Sequence, residues 1–104
     1  MATITVLYST FATKQSATKA LNALLKAKLV ACGVVSAPAS SQYFWKGAVA
    51  QEKEVVLLAK TTTKLAQKAS RALEKVHSYQ TPCILHWKVQ ANSAYARWVA
   101  KETA

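Results

Sequence analysis

Apolar positions change their spacing several times along the chain, and each change marks an element. Residues 3–10 alternate Ile4, Val6 and Tyr8 with Thr5, Leu7 and Ser9 and are rich in β-branched types, which predicts a strand buried on at least one face. Thr13 suits the N-cap of the helix that follows. There Ala17, Ala20, Leu21, Leu24 and Lys28 recur at helical spacing, with Lys14, Lys19, Asn22 and Lys26 on the other side. The stem of Lys28 is expected along the edge of the apolar stripe.

Residues 29–36 form a second apolar run. Pro38 and the Ala-Ser-Ser stretch interrupt it before residues 42–45, which predicts a bend in a strand and not its end. A turn at Lys46-Gly47 then leads into a strand through residues 55–61, apolar enough for the centre of a sheet, and the two strands form a long hairpin. Leu65, Ala69, Ala72, Leu73 and Val76 mark a second helix, with Lys64, Lys68, Arg71 and Lys75 lying mostly off that stripe. Pro82 cannot sit inside a helix, so residues 82–89 are expected as a last strand that begins with the proline. Asn92 or Ser93 caps a short final helix carrying Ala94, Tyr95, Trp98 and Val99.

The resulting order is β-α-β-β-α-β-α. It predicts an α+β domain over residues 1–104, a ferredoxin-like split β-α-β sandwich with an antiparallel sheet and one added C-terminal helix. A chain of 104 residues with 52% hydrophobic content is sufficient for one core. No apolar run approaches the roughly 18 residues that cross a bilayer, and the N-terminus has neither a basic segment nor a cleavage site, so a cytoplasmic chain without membrane insertion is expected. Cys32 and Cys83 have no framework spacing and are expected as free thiols.

Charge adds a question. There are 14 lysines and arginines against Glu52, Glu54, Glu74 and Glu102, with no aspartate, for a formal net charge of +10. Such a balance favours polyanions. The lysines are scattered through the helical segments, however, which is also how solvated helix faces are written.

One stretch carries a family resemblance. Ser41-Gln42-Tyr43-Phe44-Trp45-Lys46-Gly47, followed by Glu54-Val55-Val56-Leu57-Leu58-Ala59-Lys60-Thr61, resembles the CutA signature S-x-Y-x-W-x-G and E-V-x-L-x-x-K-T. Leu25 to Cys32 resembles the family's passage ending L-x-A-C, His77-Ser78-Tyr79-Gln80-Thr81-Pro82 resembles H-P-Y-x-x-P, and Tyr95-Ala96-Arg97-Trp98 resembles Y-L-x-W. The resemblance implies a non-enzymatic homotrimer associated with divalent-cation (copper) tolerance or metal-responsive signalling, with no required cofactor. It singles out Tyr43, Trp45, Glu54, Lys60, Tyr79, Tyr95 and Trp98 as family-motif and subunit-contact residues. Ser78 stands in place of the family's proline and Cys83 in place of its glutamate.

Candidate chemistry is sparse. A thiolate and an imidazole suit copper or zinc, which makes His77 and Cys83 the metal candidates, with His86 and Cys32 as further donors if the fold gathers them. Glu54 is expected to pair with a lysine such as Lys60. There is no G-x-S-x-G elbow, no glycine-rich phosphate loop and no aspartate to orient a histidine. The alternative function is a basic nucleic-acid-binding module on a similar fold, with Tyr43, Phe44, Trp45, Trp87, Tyr95 and Trp98 as stacking faces. The third strand lacks the paired aromatics of an RNA-recognition motif, and these rings are expected in core and subunit contacts.

Overall fold

The computed structural model describes residues 1–104. Its elements are β1 (Ala2–Phe11), α1 (Lys14–Lys26), β2 (Cys32–Val35), β3 (Ala39–Trp45), β4 (Ala48–Thr61), a 3-10 turn (Thr63–Leu65) leading into α2 (Ala66–Val76), β5 (Ile84–Ala91) and α3 (Ser93–Lys101). The sheet runs β2-β4-β1-β5, antiparallel throughout, and β3 also pairs with β4. β2 and β3 are two halves of one bent strand, so the order is that of the ferredoxin-like fold.

The expected bend has a definite fastening. Ser36 donates its N–H to the Val56 carbonyl at 2.9 Å, and its Oγ accepts the Val56 N–H at 2.8 Å. Pro38, which has no N–H to give a ladder, then sits in the gap between Val35 opposite Leu57 and Ala39 opposite Glu54.

Alternation along β1 assigns the two faces. Thr5, Leu7, Ser9 and Phe11 are buried and stand opposite Thr61, Ala59, Leu57 and Val55 of β4, which are buried too. α1 covers them with Ala17, Ala20, Leu21 and Leu24, and α2 with Ala66, Ala69 and Leu73. The small alanines let both helices approach closely. Gly33 does the same on β2, where an added Cβ would lie 2.6 Å from Leu21 Cδ1. Polar groups inside this layer are partnered: Thr61 Oγ1 donates to the Leu29 carbonyl at 2.7 Å, and Ser9 Oγ to the Cys83 carbonyl at 2.7 Å.

Three local expectations need correction. Lys28 does not lie on the stripe of α1: the helix ends at Lys26, and Lys28 takes a left-handed φ of 58°. Its N–H reaches the Leu25 carbonyl and that of Leu29 the Leu24 carbonyl, both at 3.0 Å, a Schellman closure. Burial of Leu29 and Val30 directly afterwards demands this reversal. The last strand begins at Ile84, not Pro82, because Pro82 lacks a ladder donor and the Cys83 carbonyl is taken by Ser9. Finally, none of the three tryptophans belongs to the core: Trp45, Trp87 and Trp98 are all exposed, and Phe11 is the core's only aromatic ring.

The opposite face of the sheet is only partly covered. α3 packs across β1 and β4 there and buries Val99. Beyond it, Val34, Leu85 and Trp87 remain 55, 51 and 44% exposed, beside half-buried Val6, Tyr8, Val56 and Leu58. The β3–β4 hairpin lengthens the molecule to 45 × 25 × 23 Å and carries Phe44 and Trp45 exposed near its tip.

Candidate functional site

The densest polar cluster forms where the end of β1, the middle of β4 and the segment after α2 meet. α2 stops at Val76 and His77 adopts extended backbone, φ −71° and ψ 141°. This turns its ring back over β1, stacked on Phe11 with centroids 4.0 Å apart and planes at 12°. His77 Nδ1 accepts the Tyr79 backbone N–H at 3.0 Å. Nε2 lies 2.9 Å from the Thr10 carbonyl and 3.0 Å from Ser9 Oγ.

These contacts select one tautomer. The Tyr79 N–H requires a lone pair on Nδ1, and the Thr10 carbonyl, which only accepts, requires the proton on Nε2. Ser9 already donates to Cys83, so its oxygen receives the same proton as a second acceptor. The Ser9–His77 pair thus has the polarity opposite to an activated nucleophile, in which Nε2 would take the serine proton. Ser9 is in addition fully buried.

Tyr79 extends the cluster. Its hydroxyl donates to Glu54 Oε2 at 2.8 Å. Glu54 therefore does not pair with Lys60, which lies six residues further along the same strand, roughly 20 Å away at the rise of a strand. Burial raises the Glu54 pKa, but the hydroxyls of Ser41, Tyr79 and Thr10 and the nearby His77 favour the carboxylate more strongly and bring it below the ordinary 4.5. Burial and the bond to Glu54 push the Tyr79 hydroxyl far above its usual range. For His77, burial outweighs the Thr10 bond and the Glu54 charge, and its pKa falls below the ordinary 6.5.

The unfolded chain protonates His77 near 6.5 while the folded chain resists, so stability is complete above pH 6.5 and falls as pH drops through the lowered folded value. Urea melts at pH 7.5 and 5.5 are expected to show this loss, and the His77→Phe variant to lose less over the same window; equal losses contradict it. Glu54 adds its own loss only at more acidic pH, below 4.5.

The other candidates are dispersed. Cys32 Sγ lies 3.2 Å from Tyr95 OH beneath α3, a contact that with burial pushes the tyrosine up to about 12, and Tyr95 in turn packs on Trp98. Lys60 stands opposite Cys32 on that same face. His86 stands opposite Leu7 and so belongs to the helix-covered side, across the sheet from Cys32. Tyr43 and Trp45 are on the hairpin. Cys32 and Cys83 are both free thiols, as expected.

A divalent cation does not fit this cluster as it stands. The only lone pair of neutral His77 is engaged by Tyr79, and no group of three or more His, Cys, Asp or Glu side chains gathers anywhere in the chain. Sequence reasoning found His77, Tyr79 and Glu54 but missed Ser9, Thr10 and Phe11. In an alternating strand nothing distinguishes those three from ordinary core and edge positions.

Fold and cluster together define a ferredoxin-like α+β domain whose polar site is a hydrogen-bonded network of Ser9, Thr10, His77, Tyr79 and Glu54. Residues 5–102 match the family described as CutA1 divalent ion tolerance protein, and the chain belongs to that family. The divalent-cation tolerance protein CutA of Pyrococcus horikoshii is 31% identical over 99 residues, 94% of this chain and 96% of that one. Its Thermotoga maritima counterpart is 34% identical over 95 residues, 90% and 93% of the two chains. The crystal structure of CutA1 from Ehrlichia chaffeensis superposes with a TM-score of 0.94 at 33% identity, covering 97% of this chain and 95% of that one. The family is named for tolerance of divalent ions and not for a reaction.

Proposed function

We propose that the protein acts as a non-enzymatic homotrimer in cellular tolerance of divalent cations, copper among them, or in signalling that responds to them. The observation that carries the assembly is the half-open sheet face, where Val34, Leu85 and Trp87 surround the apolar centre of β1 and β4. An apolar area of this kind on a small domain calls for a partner, and a symmetric copy of the same chain supplies one. A mass near three subunits in solution supports the reading; a monomer at micromolar concentration refutes it.

Copper or zinc contact falls first to Cys83, whose residue is exposed, whereas His77 becomes a donor only once its Tyr79 bond opens. An exposed thiol also fits a reducing compartment such as the cytoplasm. In calorimetric titration with copper or zinc, Cys83→Ala is expected to weaken binding about tenfold, the order of about 1.4 kcal/mol. His77→Ala is expected to change it far less. Unchanged binding in both variants removes the two residues from any metal role.

A further inference from the structure

The lysines that the sequence scatters are collected by the fold. α1 and α2 touch each other and lie on the same face of the sheet, both turning their apolar stripes inward. Their outward sides carry Lys14, Lys19, Lys26, Lys68, Arg71 and Lys75, all exposed, with Lys64 exposed on the 3-10 turn before α2 and Glu74 as the only acid on either helix. A shallow hollow on α1 is lined by Lys14, Gln15, Thr18, Lys19 and Asn22, without an acidic or apolar side chain.

We propose that this two-helix face is a docking surface for the phosphodiester backbone of duplex nucleic acid. Lysine, glutamine, threonine and asparagine side chains all donate to phosphate oxygens, contacts that position a duplex and carry no base identity. α1 spans about 20 Å at 1.5 Å per residue, with α2 about 8–10 Å beside it. A duplex presents about one charge per 1.7 Å of axis, so several phosphates face the patch at once. A membrane is the poorer fit, because most large apolar residues of the two helices are spent on the core: Leu21, Leu24 and Leu73 are buried, and only Leu25 and Val76 at the helix ends are exposed, too few for an apolar face that enters an interface. Single-strand binding is poorer too, since no aromatic residue lies on either helix. The surface belongs to one chain and lies opposite the open sheet face, so it does not depend on the trimer.

Fluorescence anisotropy with labelled 20-base-pair DNA and RNA duplexes of two unrelated sequences tests this. Both sequences are expected to bind within about threefold of each other, and affinity to fall roughly 10²-fold between 50 and 200 mM salt, as for three or four neutralised phosphates. Whichever of DNA or RNA binds in this way supports the proposal and identifies its source. Lys19→Gln with Lys68→Gln is expected to flatten the log–log salt slope by about two. Lys46→Gln with Lys53→Gln, on the hairpin, removes the same charge and is expected to leave the slope nearly unchanged. Equal effects of the two double variants, no binding at 50 mM salt, tighter binding of single strands, or full competition by phosphatidylserine vesicles would each overturn it.

Discussion

Phe11→Ala is expected to destabilise the fold by about 3–5 kcal/mol, a large share of the roughly 5–15 kcal/mol that holds a domain of this size together. The ring is fully buried and is the core's only aromatic. It also forms the floor on which the His77 ring stacks, so its loss opens a cavity and releases a polar neighbour at once. His77 holds Tyr79 through Nδ1, and Tyr79 holds Glu54, so the whole network loses its seat. A urea melt measures the first effect. The second appears as a rise of the lowered His77 pKa toward 6.5 under conditions where the variant stays folded. A cost under 1 kcal/mol would show that the core closes over the gap and that Phe11 is not the support described.

Val34→Lys combined with Leu85→Lys is expected to convert a trimer into single chains while leaving the subunit folded. Both side chains are more than half exposed in the isolated chain, so a lysine finds room and solvent there without disturbing the core. Within an apolar interface the same two charges would be buried without partners, at a cost of several kcal/mol each. Sedimentation and far-ultraviolet circular dichroism separate the two consequences. A trimer that persists with both lysines in place would put the interface elsewhere, and lost dichroism would show that the face contributes to folding of the subunit itself.

The hairpin shows how far local pattern reaches. Lys46-Gly47 was legible as a turn because glycine accepts the positive φ of 81° found at its position, and Pro38 as a bend because it cannot serve a ladder. The stripes of α1 and α2 were legible for a similar reason: burial on one side imposes a period of 3.6. Lys28 escaped such reading because a lysine continues a helical pattern as well as any residue. Only the need to turn and bury Leu29 and Val30 places it in the left-handed region.

The cluster divides along the same line. His77, Tyr79 and Glu54 stood out in the sequence through family motifs, yet their roles depend on Ser9, Thr10 and Phe11, which lie 67 and 68 residues before His77 in the bonds they form or next to those positions. Long-range register, set when β1 pairs with β4 and β5, brings the Thr10 carbonyl to Nε2 and so decides which ring nitrogen of the histidine carries the proton. Tertiary structure seated the His77 ring on Phe11 with Nε2 at the Thr10 carbonyl, and exchanged Lys60 for Tyr79 as the partner of Glu54.

By itself the sequence determined the α+β class, the order of elements, the bent hairpin and the family, because periodicity and turn chemistry act over a few residues. The tertiary structure decided which groups share a hydrogen bond, which sheet face stays open, and that scattered lysines form one surface. Those outcomes depend on contacts between distant segments, and no local pattern encodes them.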